Sequence, residues 1–368
     1  MKNKKIRYAV VGLGHIAQVA VLPAFKNAQK NSELVALISH DETKLKKLSQ
    51  KYKVPETYSY DELESCLASG SIDALYIATP NVCHRNIAEM AASYGVHVLT
   101  EKPMAINEED CLSMLKAARK NNIKLMVAYR LHFDQANLKA VEFGQSGRLG
   151  ELRIFNSTFT MQVDDPENIR LSGEMGGGPM FDIGIYCLNA SRYLFRDEPI
   201  EIFAMAESND DRRFREVDEM MTVTLRYPNA RLASFTISFG AAKTASFDLI
   251  GTKGSIRLEN AYEYADGQVL HTVIHDKKAK HKFAKHDQFA PELEYFSNCI
   301  LKNKEPEPSA EEGLLDIKII EAINESIKTG MPVQLRSFRK MTRPTMKQAN
   351  RKPAFPKPDT VHVRAPHS

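Results

Sequence analysis

Four times between residues 6 and 129 a short apolar run rich in β-branched residues gives way to ten to fifteen residues with helical spacing, and a fifth run closes the series. The runs are "IRYAVVG" (6–12), "LVALIS" (34–39), "ALYIAT" (74–79), "HVLTEKP" (97–103) and "KLMVAY" (124–129). Strands that alternate with helices of this length are joined by crossovers, which dictates βαβ units and a doubly wound parallel sheet covered on both faces. Beyond about residue 128 the pattern changes. Segments 151–163, 220–227, 231–239, 245–250 and 255–260 read as strands separated by turn signals at Pro228-Asn229 and Gly251-Thr252-Lys253-Gly254, so hairpins replace crossovers. The expected fold class is therefore α/β, with a second α+β domain on a large, mostly antiparallel open sheet. Helices are expected at about 290–302 and 311–329. The predicted domains are 1–128, then 129–337 with a late helix able to pack back on the first, then a basic, proline-rich tail, 338–368.

Charge excludes one class of partner. The chain carries a formal +4, but residues 338–368 hold eight Lys/Arg and one Asp, +7, which leaves −3 for the rest. Basicity confined to a tail argues against nucleic-acid binding by the body. Cys66, Cys83, Cys111, Cys187 and Cys299 are scattered, odd in number and contain no CxxC pair, as expected of reduced thiols. The apolar run after "MKNKK" is too short for a secretory h-region or a membrane span. A cytoplasmic protein without membrane association is expected.

Gly12-Leu13-Gly14-His15-Ile16-Ala17 is a GxGxxA pattern at a strand-to-helix junction. Such glycines permit a sharp turn and close approach to a pyrophosphate, whose charge the helix N-terminus attracts, and the small third residue lets helix pack on strand. A tight turn without ligand uses the same glycines, but strand, helix and unit length here all fit a dinucleotide. The second strand of such a fold ordinarily ends on an acid for the ribose hydroxyls of NAD. This chain has Ser39 and His40 there, with Lys44 beyond, a hydroxyl and a cation suited to the 2′-phosphate of NADP. Asp41 is the competitor that would favour NAD. The third unit ends in "ATPNVCH" (78–84), where Thr79, Pro80 and Asn81 are candidate cofactor contacts. Asn81 could instead cap the following helix, and His84, also a candidate, could simply occupy its first turn.

In "GGGPMFDIGIYCLNASRYLF" (176–195) three glycines and Pro179 precede a helix on which Asp182, Tyr186, Asn189 and Tyr193 share one face and Ile183, Cys187, Ala190 and Leu194 another. The apolar face packs, and the polar face is expected to line a cleft. His271, His275, His281 and His286 lie in a lysine-rich stretch without Cys or carboxylate ligands, so a charged hairpin rather than a metal site is expected there.

Taken in order, GLGHIA, TPNVCH, TEKPMA and GGGPMFDIGIY resemble the Gfo/Idh/MocA oxidoreductases, and most of all the glucose-fructose oxidoreductase branch, over roughly residues 6–337. The resemblance implies a Rossmann domain, with nicotinamide and sugar held between it and the C-terminal domain. It implies that Glu101 and Lys102 of the EKP motif stand beside the nicotinamide, Lys102 as a catalytic cation. It implies that "AYRLHFDQAN" (128–137) brings Tyr129 and Arg130 to cofactor and substrate. Asp182 and Tyr186 replace the D-x-x-x-H of many members, as in the glucose-fructose branch, with Tyr186 as acid/base and Asp182 orienting the sugar. The implied activity is hydride transfer between the anomeric carbon of a glucose- or xylose-like aldose and NADP, extending to sugar–sugar oxidoreduction with retained cofactor. Inositol, sugar phosphate and trans-dihydrodiol dehydrogenases and a non-catalytic NADP sensor are the alternatives. A homodimer or homotetramer is expected, with the tail either disordered or wrapped on a neighbouring subunit.

Overall fold

The computed structural model describes residues 4–336, 342–363 and 365; the remainder of the predicted tail, 338–341, 364 and 366–368, lies outside the described residues. The chain divides into two units. The first comprises residues 4–130, 287–314 and 351–365 apart from 364, and the second 131–286, 315–336 and 342–350.

The first unit is built on six parallel strands, β1 (Ile6–Val11), β2 (Ser32–Ile38), β3 (Glu56–Tyr58), β4 (Ala74–Ile77), β5 (His97–Thr100) and β6 (Leu125–Val127), in the order β3-β2-β1-β4-β5-β6. In β4 all four side chains are buried and in β1 five of six, because crossover helices cover both faces. Helix Glu42–Tyr52 is capped by Asp41, whose carboxylate accepts from Lys44 N at 2.9 Å, and helix Glu108–Lys120 by Asn107, which accepts from Asp110 N at 2.8 Å. That second helix also has three acids in its first turn and Arg119 and Lys120 in its last, matching the helix dipole. Helix Ala290–Leu301 belongs to this unit: Ser297 Oγ lies 2.8 Å from both Tyr8 Oη and Ser32 Oγ. The strand order reverses between β1 and β4, and at that point a doubly wound sheet opens a crevice beyond its carboxyl ends.

The second unit holds a nine-stranded mixed sheet. Its strands are β7 (Leu152–Gln162), β8 (Glu201–Glu207), β9 (Met220–Tyr227), β10 (Arg231–Ser238), β11 (Gly240–Gly251), β12 (Gly254–Glu259), β13 (Gln268–Ile274) and β14 (Lys277–Phe283), with a short edge strand Val333–Gln334, in the order β14-β13-β12-β11-β7-β10-β9-β8-edge. Only β7 and β10 run parallel; every other pair is antiparallel. Helices Gln135–Gln145 and Ile185–Phe195 pack on one face, over Phe155, Phe235 and Phe247. The opposite face exposes Ile154, Phe203, Met205 and Leu232. Strand β8 and helix Gln135–Gln145 are additions to the elements expected from sequence, whereas β13 and β14 form the charged hairpin anticipated for 271–286.

The described part of the tail is held more firmly than its composition suggests. Arg343 is buried, and residues 352–362 make side-chain and backbone contacts within the first unit. A 3₁₀ turn, Met346–Gln348, and a short strand, Lys352–Pro353, form in the described part, and hydrogen bonds to the folded unit hold the extended chain that follows.

Candidate active site

Gly12 follows β1 at the switch point with φ +90°, and a Cβ there would lie 2.5 Å from the Ala78 carbonyl oxygen and 2.8 Å from Thr79 N. Only glycine allows β1 and β4 to end so close together. A Cβ at Gly14 would meet nothing within 4 Å, so its backbone is open to a ligand. His15 and Ile16 are half-buried on the same turn, and the helix that follows is π-wound over Ala17–Val21. The Thr79 hydroxyl oxygen is buried and takes no hydrogen bond among the described residues. An orphaned hydroxyl, an open glycine backbone and a helix start converging at the switch point fit a dinucleotide.

At the end of β2, Ser39 is buried and its Oγ accepts from Asp41 N at 3.2 Å. His40 is exposed, its ring 5.5 Å from that of Tyr60. Lys44 Nζ lies 4.0 Å from Asp41 Oδ2. A hydrogen bond from Lys44 N and a contact with His362 hold the Asp41 carboxyl below its usual range. Pro80 and Asn81 are half-buried beside this crevice. Asn81 begins a 3₁₀ turn, Asn81–Cys83, that leads into helix His84–Ser93, whose N-cap position is Cys83 rather than Asn81.

His84 is fully buried, with Nδ1 3.0 Å from the Pro103 carbonyl and Nε2 3.1 Å from the Thr79 carbonyl. It braces the "TPN" loop against the "EKP" loop. Burial pushes its pKa down, outweighing the two carbonyls that favour the cation. Glu101 is buried and accepts from Tyr76 Oη at 2.8 Å; burial pushes its carboxyl up, against the pull of Lys102 and Arg130. Lys102 itself is half-buried, and its bond to Pro103 is cis. Tyr129 and Arg130 are buried just beyond β6, and the Arg130 guanidinium contacts Gln288 and lies 5.9 Å from the Phe289 ring centroid. Sequence reading missed Glu292 of helix Ala290–Leu301. It is fully buried, neither carboxyl oxygen is hydrogen-bonded among the described residues, and burial together with the Glu101 charge drives its pKa well above the usual value.

In the second unit the glycines of "GGGP" have a steric purpose. A Cβ at Gly177 would sit 2.5 Å from the Arg170 carbonyl oxygen, and Gly178 N donates to that oxygen at 2.8 Å. The Arg170–Ser172 loop is thereby laid on the start of a helix that is π-wound over Met180–Gly184, a geometry common at functional sites. Arg170 Nε then donates to Asp182 Oδ2 at 2.6 Å. Burial disfavours the guanidinium charge, but Asp182 more than offsets this, so its pKa rises; Tyr186 and Tyr264 also lie within its electrostatic reach. The Tyr186 ring is seated 5.9 Å from Phe159 and 6.0 Å from Tyr262. Arg170 was missed because nothing local in "ENIRLSG" pairs it with a residue twelve positions on.

The expected polar face is only half realised. Asp182 and Tyr186 are half-exposed, but Asn189 and Tyr193 are buried: Asn189 Nδ2 donates to Asp316 Oδ2 at 2.9 Å, and Tyr193 Oη to Asn137 Oδ1 at 2.9 Å. Behind them Arg192, fully buried, donates to Glu198 (2.5 and 3.0 Å) and Asp316 (2.5 Å), and Arg343 donates to Glu198 at 2.5 Å. Among the described residues no group of three His, Cys, Asp or Glu is placed to hold a metal, and no helix is long and apolar enough to cross a membrane.

Two family profiles match the chain: an oxidoreductase family with an NAD-binding Rossmann fold over residues 6–129, and the GFO/IDH/MocA C-terminal domain over 138–257. A D-xylose 1-dehydrogenase [NADP(+)] of Haloarcula marismortui is 31% identical over 339 residues, which are 90% of this chain and 94% of that protein. The crystal structure of an aldose-aldose oxidoreductase from Caulobacter crescentus, complexed with glycerol, superposes with a TM-score of 0.87 at 34% identity, covering 90% of this chain and all of that one. A 3-ketoreductase from Actinomadura kijaniata shares the fold, with a TM-score of 0.80 at 24% identity over 88% of this chain and 98% of that one. With both domains matched and a relative above 30% identity over almost its whole length, the chain belongs to the Gfo/Idh/MocA family of oxidoreductases.

Proposed function

We propose that the chain is an NADP-dependent oxidoreductase that moves a hydride between the anomeric carbon of a glucose- or xylose-like aldose and the nicotinamide, with sugar–sugar exchange on a retained cofactor as one mode. The first unit binds the dinucleotide and the second supplies groups for the sugar. The Arg170–Asp182–Tyr186 cluster carries this reading, because it presents a phenol and an anchored carboxylate at the start of one helix. The names of the xylose dehydrogenase and the aldose-aldose oxidoreductase support the substrate class, and Ser39 with Lys44 supports NADP.

When bound, NADP+ supplies the hydride acceptor. Tyr186 takes the proton of the anomeric hydroxyl as the C1–H bond breaks, leaving the sugar oxidised to its lactone. A free phenol, with a pKa of about 10, is a poor base at neutral pH and works best beside positive charge. Arg170 is assigned that charge, Lys102 is assigned as the catalytic cation of the EKP loop, and Asp182 accepts from a sugar hydroxyl to fix its orientation. Tyr129 and Arg130 are assigned to the substrate, and His84 and Glu101 support the cofactor loops.

Five unbridged cysteines support a cytoplasmic setting. The exposed sheet face at Ile154, Phe203, Met205 and Leu232 supports a homodimer or homotetramer. The function is tested by following absorbance in the reduced-nicotinamide band as NADP+ and a panel of aldoses are added. Tyr186→Phe is expected to retain NADP+ binding and to lose on the order of a hundredfold in turnover. Binding of NADP+ without reduction by any aldose would overturn this function in favour of a dehydrogenase for an inositol, sugar phosphate or trans-dihydrodiol, or, if those also fail, a non-catalytic NADP-binding protein.

A further inference from the structure

Gln18, one turn into the helix after GxGxxA, is fully buried. Its Nε2 donates to the Leu13 carbonyl of the glycine turn at 2.9 Å and to the Val361 carbonyl at 2.9 Å, while its Oε1 accepts from Val361 N at 2.7 Å. A residue of the glycine turn's own helix thus grips the C-terminal segment by both backbone groups. Asn27 donates to the Pro353 carbonyl at 2.9 Å and Lys51 to the Asp359 carbonyl at 2.9 Å, which fixes the path of the segment along the unit. The next residue, His362, is thereby delivered to Asp41, with Nδ1 2.9 Å from Oδ2.

Asp41 is the acid that could serve the ribose hydroxyls of NAD. Its Oδ1 is occupied by Lys44 N and its Oδ2 by His362, with Lys44 Nζ at 4.0 Å. Each oxygen thus already accepts a hydrogen bond from the protein, so a ribose hydroxyl would have to compete for the carboxylate with Lys44 N and His362. We propose that the C-terminal segment completes the cofactor site in cis: His362 donates to Asp41, which draws the carboxylate away from the ribose hydroxyls and offsets its charge toward a 2′-phosphate, making residues 359–362 a determinant of NADP over NAD. This inference rests on the dinucleotide reading of the site.

The test measures dissociation constants of the full-length protein for NADP+, NAD+, 2′,5′-ADP and 5′-AMP, with no turnover involved. Wild type is expected to prefer NADP+ and 2′,5′-ADP; if it binds none of the four, the dinucleotide reading itself fails. His362→Ala is expected to narrow the NADP+/NAD+ ratio by about tenfold, by weakening NADP+ and 2′,5′-ADP while strengthening NAD+. His362→Arg restores the ratio. In an Asp41→Asn background, His362→Ala should no longer strengthen NAD+, since that part of its effect runs through Asp41. A ratio unchanged within twofold in His362→Ala overturns the proposal. Equal weakening of NADP+ and NAD+ overturns it too, because a merely structural strap does not discriminate between them.

Discussion

Arg170 and Asp182 form a hydrogen-bonded ion pair at 2.6 Å that joins a loop to the first turn of the helix bearing Tyr186. Both are half-buried, so the pair is less screened than a surface bridge, and its main effect is to fix one carboxylate rotamer. Arg170→Ala is expected to lower kcat/KM for the aldose about a hundredfold with circular dichroism unchanged, because a displaced carboxylate misorients the sugar. Arg170→Lys should recover little, since an ammonium lacks the planar fork. Wild-type kinetics in Arg170→Ala would show that Asp182 needs no partner.

Glu198 is shared by Arg192 and Arg343 in the interior of the second unit. Removing that carboxylate takes a charged acceptor from two buried guanidinium groups and leaves Arg192 with Asp316. Glu198→Ala is expected to lower unfolding free energy by about 3–5 kcal/mol, read by urea denaturation. A loss below about 1 kcal/mol would mean that solvent reaches the arginines in solution.

His84 makes folding pH-dependent. Its folded pKa is depressed below the ordinary 6.5 by burial, so the unfolded chain takes up the proton first. Stability from this group is full above about pH 6.5 and falls as pH drops from there through the folded pKa. Thermal melts at pH 7.5 and 5.5 should show a smaller drop for His84→Gln than for wild type. Identical drops in the two proteins would exclude His84 as the source.

Glu292 acts in the opposite direction. Its folded pKa lies well above the ordinary value of 4.5, so its contribution is full below about pH 4.5 and is lost as pH rises through the folded pKa. Glu292→Gln, close in shape and always neutral, is expected to match wild type near pH 4.5 and to melt higher at pH 8. A variant that melts lower at pH 8 would show the carboxylate to be stabilised by a partner.

Much of the fold was legible because its signals are local. Buried parallel strands announce themselves as β-branched runs, and the helices between them by their spacing. Strand β8 was not legible: in "EIFAMAE" Ile202 and Ala204 are buried while Phe203 and Met205 face outward, so apolar residues on both faces erase the period-two alternation. The second half of the polar helix face was misread for a related reason. Asn189 and Tyr193 are polar yet buried, because Asp316 and Asn137, 127 and 56 residues away, receive their hydrogen bonds.

The sequence by itself determined the doubly wound sheet and the glycine turn at its switch point, since periodicity and turn sterics operate within one or two dozen residues, while Lys102, Asp182 and Tyr186 stand out in it as candidates through the family resemblance of their motifs. Tertiary structure alone decided that Arg170 anchors Asp182, that His84 braces two loops, and that a basic tail brings His362 to Asp41, 321 residues upstream. A hydrogen bond or ion pair between residues so far apart leaves no mark on either neighbourhood, because its geometry exists only once the intervening chain has folded.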